Sequence, residues 1–328
     1  MKIVKYRKWI VFFVILLVLI TYIFYDNNKI NLTKQEIEIA NLSKELDGFT
    51  ILQITDLHEK EFGKGQTKLV DKINSIHYDA IVFTGDMLKN NTSNNYHPFY
   101  DLLEGIDNKE IALFVPGNTD PEMGIDSEEP LIKSDFINGM ELRGVKFLES
   151  LVTMDIGHSK LHFVDFEFSL KDKEEIVGTL KEKLVSEETS SQILTYRDQL
   201  FEGISTLEQI EKSDVLIGLT HYPVVDKRID YLISNSKNRF RDYDLLIAGH
   251  YHGGQFRIPF IGALFIPEGW YPRDGLFPPQ DRVKGLWNYR NIKQYVSTGL
   301  GSSDAIPFLN FRLFTTPEIN LLTLKEAK

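Results

Sequence analysis

The amino-acid sequence predicts a layered α/β domain behind one N-terminal membrane anchor. Three observations carry this. Short runs rich in Ile, Val, Leu and Phe recur along the chain, each closed by a polar residue or a glycine. Helix-like segments separate the early runs, which is the alternation of βαβ units. Four cations precede a long apolar stretch at the N-terminus.

That stretch comes first in the chain. Lys2, Lys5, Arg7 and Lys8 lead into Trp9–Tyr25, whose only non-aromatic polar member is Thr21. At 1.5 Å per residue the run covers about 26 Å, against a hydrocarbon core of roughly 30 Å. Tyr25, Asp26, Asn27 and Asn28 follow, with no small-x-small cleavage site. Residues 1–25 are therefore expected to be an uncleaved signal-anchor, a transmembrane helix crossing once and contacting the membrane through residues 9–25. Residues 26–34 read as a linker and 35–328 as the domain. The cationic flank should stay in the cytoplasm, which places the domain outside it, at the cell membrane.

Within the domain, Glu36–Ala40 alternates as an edge strand would. The buried-strand candidates are Thr50–Asp56, Ala80–Asp86, Ile111–Asn118, Leu161–Phe166, Val215–His221, Leu245–His250, Tyr295–Gly299 and Ile319–Leu324. They are apolar on both alternate faces, as strands covered on both sides are. Gln66–Ile76 and Phe99–Glu104 read as helices. Residues 171–212 are highly charged, yet Ile176, Leu180 and Leu184, then Ile193, Tyr196, Leu200, Ile204 and Leu207, keep helical spacing. They predict a helical insertion, either packed on the sheet or acting as a lid or membrane-contacting element.

Composition narrows the function. The absence of cysteine excludes disulfides, thiolate zinc sites and cysteine nucleophiles. A net charge of −10 argues against a nucleic-acid-binding face. An anionic substrate must then be met by a local positive charge, such as a metal.

The chemistry sits where the runs end. Asp56-Leu57-His58, Gly85-Asp86, Gly117-Asn118, His221 and Gly249-His250-Tyr251-His252 each close one run. In open α/β sheets those carboxyl ends converge on one crevice. The i, i+2 pairs Asp56/His58 and His250/His252 aim at one point if the backbone stays extended. Asp56, His58, Asp86, Asn118, His221, His250 and His252 make seven protein ligands, enough for two divalent ions sharing a carboxylate. Imidazole, carboxylate and amide oxygen suit Mn, Fe or Zn. Two such ions roughly 3.5–4 Å apart clamp a phosphoryl group and generate a bridging hydroxide. His77, His158 and His162 fall off this crevice and read as structural.

In this order, Asp-x-His, Gly-Asp, Gly-Asn, His and Gly-His-x-His resemble the calcineurin-like metallophosphoesterase family over about residues 35–328. Gly249–Gln255, Gly299-Leu300-Gly301 and Pro317-Glu318-Ile319 are similar to its bacterial membrane-associated branch. That branch contains cell-envelope phosphodiesterases and relatives of UDP-2,3-diacylglucosamine pyrophosphatase. The resemblance implies a four-layer α/β/β/α sandwich. It also implies one metal on Asp56, His58 and His252, another on Asn118, His221 and His250, and Asp86 bridging both. The expected substrate is a phosphorylated small molecule or a lipid-linked phosphate, cut at a phosphodiester or pyrophosphate bond.

One position departs from the family. Its Gly-Asn-His-Asp/Glu is here Gly117-Asn118-Thr119-Asp120, and Thr119 cannot supply the proton an imidazolium does. His97 is the candidate substitute, and Tyr251, Trp270 and Tyr271 are candidate pocket walls. Thr119 also leaves open a catalytically weak metal-binding protein that senses or holds phosphorylated envelope ligands. Nothing in the sequence fixes the oligomeric state.

Overall fold

The computed structural model describes residues 2–121, 133–184, 191–303 and 308–327. The chain opens with α1 (Lys2–Asn27). It continues through β1 (Asn31–Ile39), β2 (Thr50–Ile54), α2 (Thr67–Asn74), β3 (Ala80–Phe83), α3 (His97–Gly105), β4 (Ala112–Phe114), α4 (Asp135–Glu141) and β5 (Lys146–Phe147). The hairpin β6 (Leu151–Ile156) and β7 (Ser159–Asp165) leads to α5 (Phe166–Ser169), α6 (Lys173–Leu184) and α7 (Ser191–Leu207). Then come β8 (Val215–Leu219), α8 (Asp226–Ser234), β9 (Leu245–Ala248), β10 (Arg257–Ile258), β11 (Gly262–Ala263), β12 (Gly285–Tyr289), β13 (Ile292–Val296) and β14 (Glu318–Glu326).

Two mixed six-stranded sheets result. One runs β1-β14-β2-β3-β4-β5, the other β12-β13-β9-β8-β7-β6. The strands that carry the candidate site, β2, β3 and β4 in one sheet and β8 and β9 in the other, are parallel to their neighbours in that set. Period-2 geometry divides their side chains. Ile51, Ala80, Val82, Leu113, Val215, Ile217, Leu245 and Ile247 enter one buried cluster to which both sheets contribute. The alternate residues Leu52, Ile81, Phe83, Phe114, Leu216 and Leu246 face a second cluster with residues of α2, α3, α4, α7 and α8. Full burial on both faces is why these runs show no polar alternation.

The helical insertion packs. Ile176, Leu180, Tyr196, Leu200, Ile204 and Leu207 are buried in the second cluster, while the Leu184 and Ile193 side chains lie outside the described residues. The stretch 26–34 is not a linker as expected: it holds the end of α1 and the start of β1. The edge strand begins there and pairs with β14.

Among the described residues α1 is the one helix long and apolar enough to cross a membrane, over Tyr6–Asn27. Its side chains from Trp9 to Val18 are exposed, whereas Lys2 and Lys5 lie outside the described side chains. Its last turn docks on the domain. Asn27 accepts from the Arg312 N–H at 2.7 Å and donates to the Arg312 carbonyl at 2.8 Å. Thr316 donates to Asp26 at 2.6 Å, and the Tyr22 and Phe314 rings stand 5.2 Å apart.

Candidate metal centre

Each candidate ligand follows the carboxyl end of a buried strand: Asp56 and His58 after β2, Asp86 after β3, Asn118 after β4, His221 after β8, and His250 and His252 after β9. The backbone there is not extended, contrary to the i, i+2 expectation. Asp56, His58, Asp86, His250 and His252 all lie at positive φ, between 47° and 69°. A left-handed turn at both members of each pair is what redirects the side chains. Such positions cost about 1–3 kcal/mol each and persist only where the surroundings over-determine them. Here the Asp56 N–H donates to the Gly85 carbonyl at 2.9 Å and the His58 N–H to the Asp86 carbonyl at 3.0 Å. The His250 N–H donates to Asp56 Oδ1 at 3.1 Å.

The β3 and β4 ends meet through glycine. A Cβ at Gly117 would fall 2.2 Å from Asp86 Oδ1, and one at Gly85 would fall 2.4 Å from the Gly117 nitrogen. A side chain at Gly117 would displace Asp86, and one at Gly85 would displace the Gly117 backbone and His221.

Two groups of potential ligand atoms result, each within 4.8 Å: Asp56, His58, Asp86 and His252, and Asp86, His221 and His250. Asp86 belongs to both. Its Oδ2 lies 3.2 Å from His221 Nε2 and 3.5 Å from His58 Nε2. His221 Nε2 is 3.0 Å from His250 Nδ1, and His58 Nε2 is 3.2 Å from His252 Nε2. His252 Nε2 is 3.5 Å from Asp56 Oδ1. The Thr84 carbonyl, 2.8 Å from His221 Nδ1, accepts a hydrogen bond there and turns Nε2 toward the cluster, where burial is outweighed by Asp86, which pushes His221 up to about 9. Asn118 is exposed in the turn after Gly117.

Burial works against charge on both residue types. It pushes Asp56 up to about 7 and His250 down to about 3. His252 is held well below its usual value by burial, then by His58 and Arg312. Asp86 is instead held below the carboxylate range, because His221 and His58 outweigh the effect of its burial. A divalent ion favours ionised carboxylates and neutral imidazoles together, so this buried, thiolate-free donor set fits one.

The remaining expected residues are placed differently. Thr119 faces Asp86 and the Leu88 carbonyl, with its hydroxyl 2.9 and 2.8 Å away. Asp120 is buried and accepts the N–H groups of Met87, Leu88 and Gly117. It thus ties the β3 and β4 loops together. His97 is exposed and starts α3. Tyr251 is buried and donates to Glu268. Tyr271 is nearly buried and Trp270 is exposed against Tyr231. His77 and His158 are exposed, and His162 is buried 2.9 Å from the Thr153 hydroxyl.

Two residues of this region escaped the sequence reading. Tyr222 stands with its ring 4.5 Å from His250 and 5.2 Å from His221. Its position directly after His221 was the available signal. Arg312 is fully buried behind His252, donating to the carbonyls of Thr298 and Gly301 at 2.6 Å, with Nη2 3.3 Å from His252 Nδ1. Nothing local in its sequence marks it.

Comparison with known proteins points to a family. The family model described as calcineurin-like phosphoesterase matches residues 49–254, which include every candidate ligand. The chain is 23% identical to the metallophosphoesterase YkuE of Bacillus subtilis (strain 168), covering 93% of this chain and 88% of that one. It is 25% identical to the metallophosphoesterase Cj0846 of Campylobacter jejuni, over 89% of this chain and 63% of that one. It is 27% identical to the phosphodiesterase YaeI of Escherichia coli (strain K12), over 45% of this chain and 54% of that one.

Proposed function

Because the chain belongs to the calcineurin-like phosphoesterase family, we propose that it is a membrane-anchored phosphohydrolase using two divalent ions to cleave phosphodiester or pyrophosphate bonds. The observation that carries this reading is the sharing of Asp86 between two groups of ligand atoms. Asp56, His58 and His252 would hold one ion, Asn118, His221 and His250 the other, and Asp86 both. Mn, Fe and Zn suit these donors. When bound, such ions polarise the phosphoryl oxygens and acidify a water, giving a nucleophile at neutral pH.

The chain's own residues position and exclude. The Thr84 carbonyl orients the His221 ring, and the Thr119 N–H and hydroxyl hold Asp86 Oδ1. Tyr222 walls the His221–His250 side. No imidazole follows Asn118, so proton delivery to the leaving oxygen is weak, and good leaving groups are favoured. The α/β/β/α layering is part of this reading, supported by the cluster to which both sheets contribute. The anchor and an extracytoplasmic domain rest on α1 and its cationic flank.

Turnover of bis-nitrophenyl phosphate by the full chain with added Mn²⁺, abolished by EDTA, tests the activity. Metal binding without turnover of any phosphodiester or pyrophosphate would favour the second reading, a protein that senses or holds phosphorylated ligands. Thr119, committed to Asp86 and Leu88, is the observation behind that alternative.

A further inference from the structure

A groove of about 740 Å³ runs from the metal ligand His58 to the anchor helix. It is lined on the domain side by His58, Glu59, Lys60 and Lys89, and by Ile20, Ile23 and Phe24 of α1. These three fall with Asn27 at i, i+3, i+4 and i+7, one face of the helix. The wall is held in place by the Asn27–Arg312 pair, and Lys60 donates to the Asn27 carbonyl. Counting back from Asn27 at 1.5 Å per residue, Ile20 lies about 10 Å deeper along the helix. An apolar wall thus descends into the layer that a crossing helix occupies, and the candidate metal centre sits at its top.

A second observation gives the same orientation. Beside the docked end of α1 lies an apolar rim on loops. Phe260, Ile261 and Phe314 are all exposed, Phe260 completely. Phe260, Ile261 and Phe314 line one shallow cavity, and Phe314 touches Tyr22 of α1. Exposed aromatics clustered where an apolar helix leaves the domain are the arrangement of a surface resting in the lipid interface.

We infer that the anchor is part of the substrate site, and that the site takes a phosphoester whose hydrocarbon chain remains in the adjoining leaflet. The chain would lie along Ile20, Ile23 and Phe24, and the ester phosphate would reach His58 past Lys60 and Lys89. The rim around Phe260 and Phe314 would hold the groove mouth at the membrane. This rests on the phosphohydrolase reading of the same centre, favours the lipid-linked of its two expected substrates, and adds α1 as a wall of the site.

The test uses the full chain in phosphatidylcholine nanodiscs with Mn²⁺ and two probes. One is hexadecyl nitrophenyl phosphate, which partitions into the bilayer, and the other is bis-nitrophenyl phosphate, which stays in water. The double variant Ile20→Gln, Phe24→Gln should lower the ratio of kcat/KM, long-chain over soluble ester, at least tenfold. Phe311→Ala tests the domain side of the same groove without touching membrane insertion, and should lower that ratio in the same direction. A ratio unchanged in both variants, with the wild type active on both esters, overturns this inference alone. A wild type inactive on both esters overturns the phosphohydrolase reading beneath it.

Discussion

Thr119 binds Asp86 twice: its backbone N–H and its hydroxyl both lie 2.9 Å from the same carboxylate oxygen, Oδ1. The other oxygen, Oδ2, is the one that approaches His221 and His58. Thr119 therefore stands behind Asp86. Its hydroxyl is also within 2.8 Å of the Leu88 carbonyl, so its single proton is divided between two acceptors.

Thr119→Val keeps the shape and the backbone N–H but removes that hydroxyl. Outer partners of ligating carboxylates typically matter about 10–100-fold in metal affinity or activity. The expected outcome is a loss in that range in Mn²⁺ affinity, measured by titration. An unchanged affinity would mean that the backbone N–H alone orients Asp86.

Thr119→His addresses the leaving group. A positioned acid contributes about 10²–10⁴-fold, most where the departing oxygen is basic. Across a series of aryl and alkyl phosphodiesters, this variant should gain more on alkyl than on nitrophenyl esters. If wild-type kcat/KM is already flat across the series, another acid serves, and His97→Gln is the next variant to measure.

Asp86→Asn removes a carboxylate common to both groups of ligand atoms. The loss of activity should exceed the about 10–100-fold of an outer-shell change. Elemental analysis should find fewer than two ions per chain, with the fold retained by circular dichroism. Two ions still bound would contradict the shared role.

The insertion is expected to act through packing. Leu200 and Ile204 of α7 are fully buried in the cluster they share with the sheets. Leu200→Ala should cost about 2–5 kcal/mol in urea unfolding. A lid would answer differently, with KM for a bulky phosphoester rising while stability held.

Orientation is open to a direct label, because the natural chain contains no cysteine. Asn91 is exposed, so Asn91→Cys offers one thiol on the domain surface. A membrane-impermeant maleimide added to spheroplasts should modify it. Labelling only after lysis would place the domain in the cytoplasm.

The sequence made the ligand-bearing strand ends legible because each joins two strong signals. A run buried on both faces stops at a glycine, aspartate or histidine, as at Gly85-Asp86 and Gly249-His250. The edge elements were not legible. β6 is half exposed along Leu151–Ile156, and β12 spans the mixed segment Gly285–Tyr289, so neither has a run apolar on both faces. The left-handed backbone at Asp56 and His250 is imposed by loops from other strands, which no local pattern encodes. Arg312 is invisible for the same reason, since its acceptors, Thr298 and Gly301, are brought to it by folding.

β14 lies between β1 and β2, so the strand that comes late in the chain completes a sheet that the early residues begin. The Asn27–Arg312 contact likewise joins positions 285 apart. Closing loops of that length is entropically costly and slow, and until it happens β2 has an open edge. The loop that follows β13 also reaches Asp56: the Leu300 N–H bonds the Thr55 carbonyl and the Gly301 N–H the Asp56 carbonyl. Assembly of the ligand set is therefore expected late on the folding route. Refolding from urea should proceed at the same rate with Mn²⁺ as with EDTA, while unfolding slows when the ion is present. On this route an ion would be taken up by the finished chain, and the ion pool around it, rather than the one met during synthesis, would select the metal.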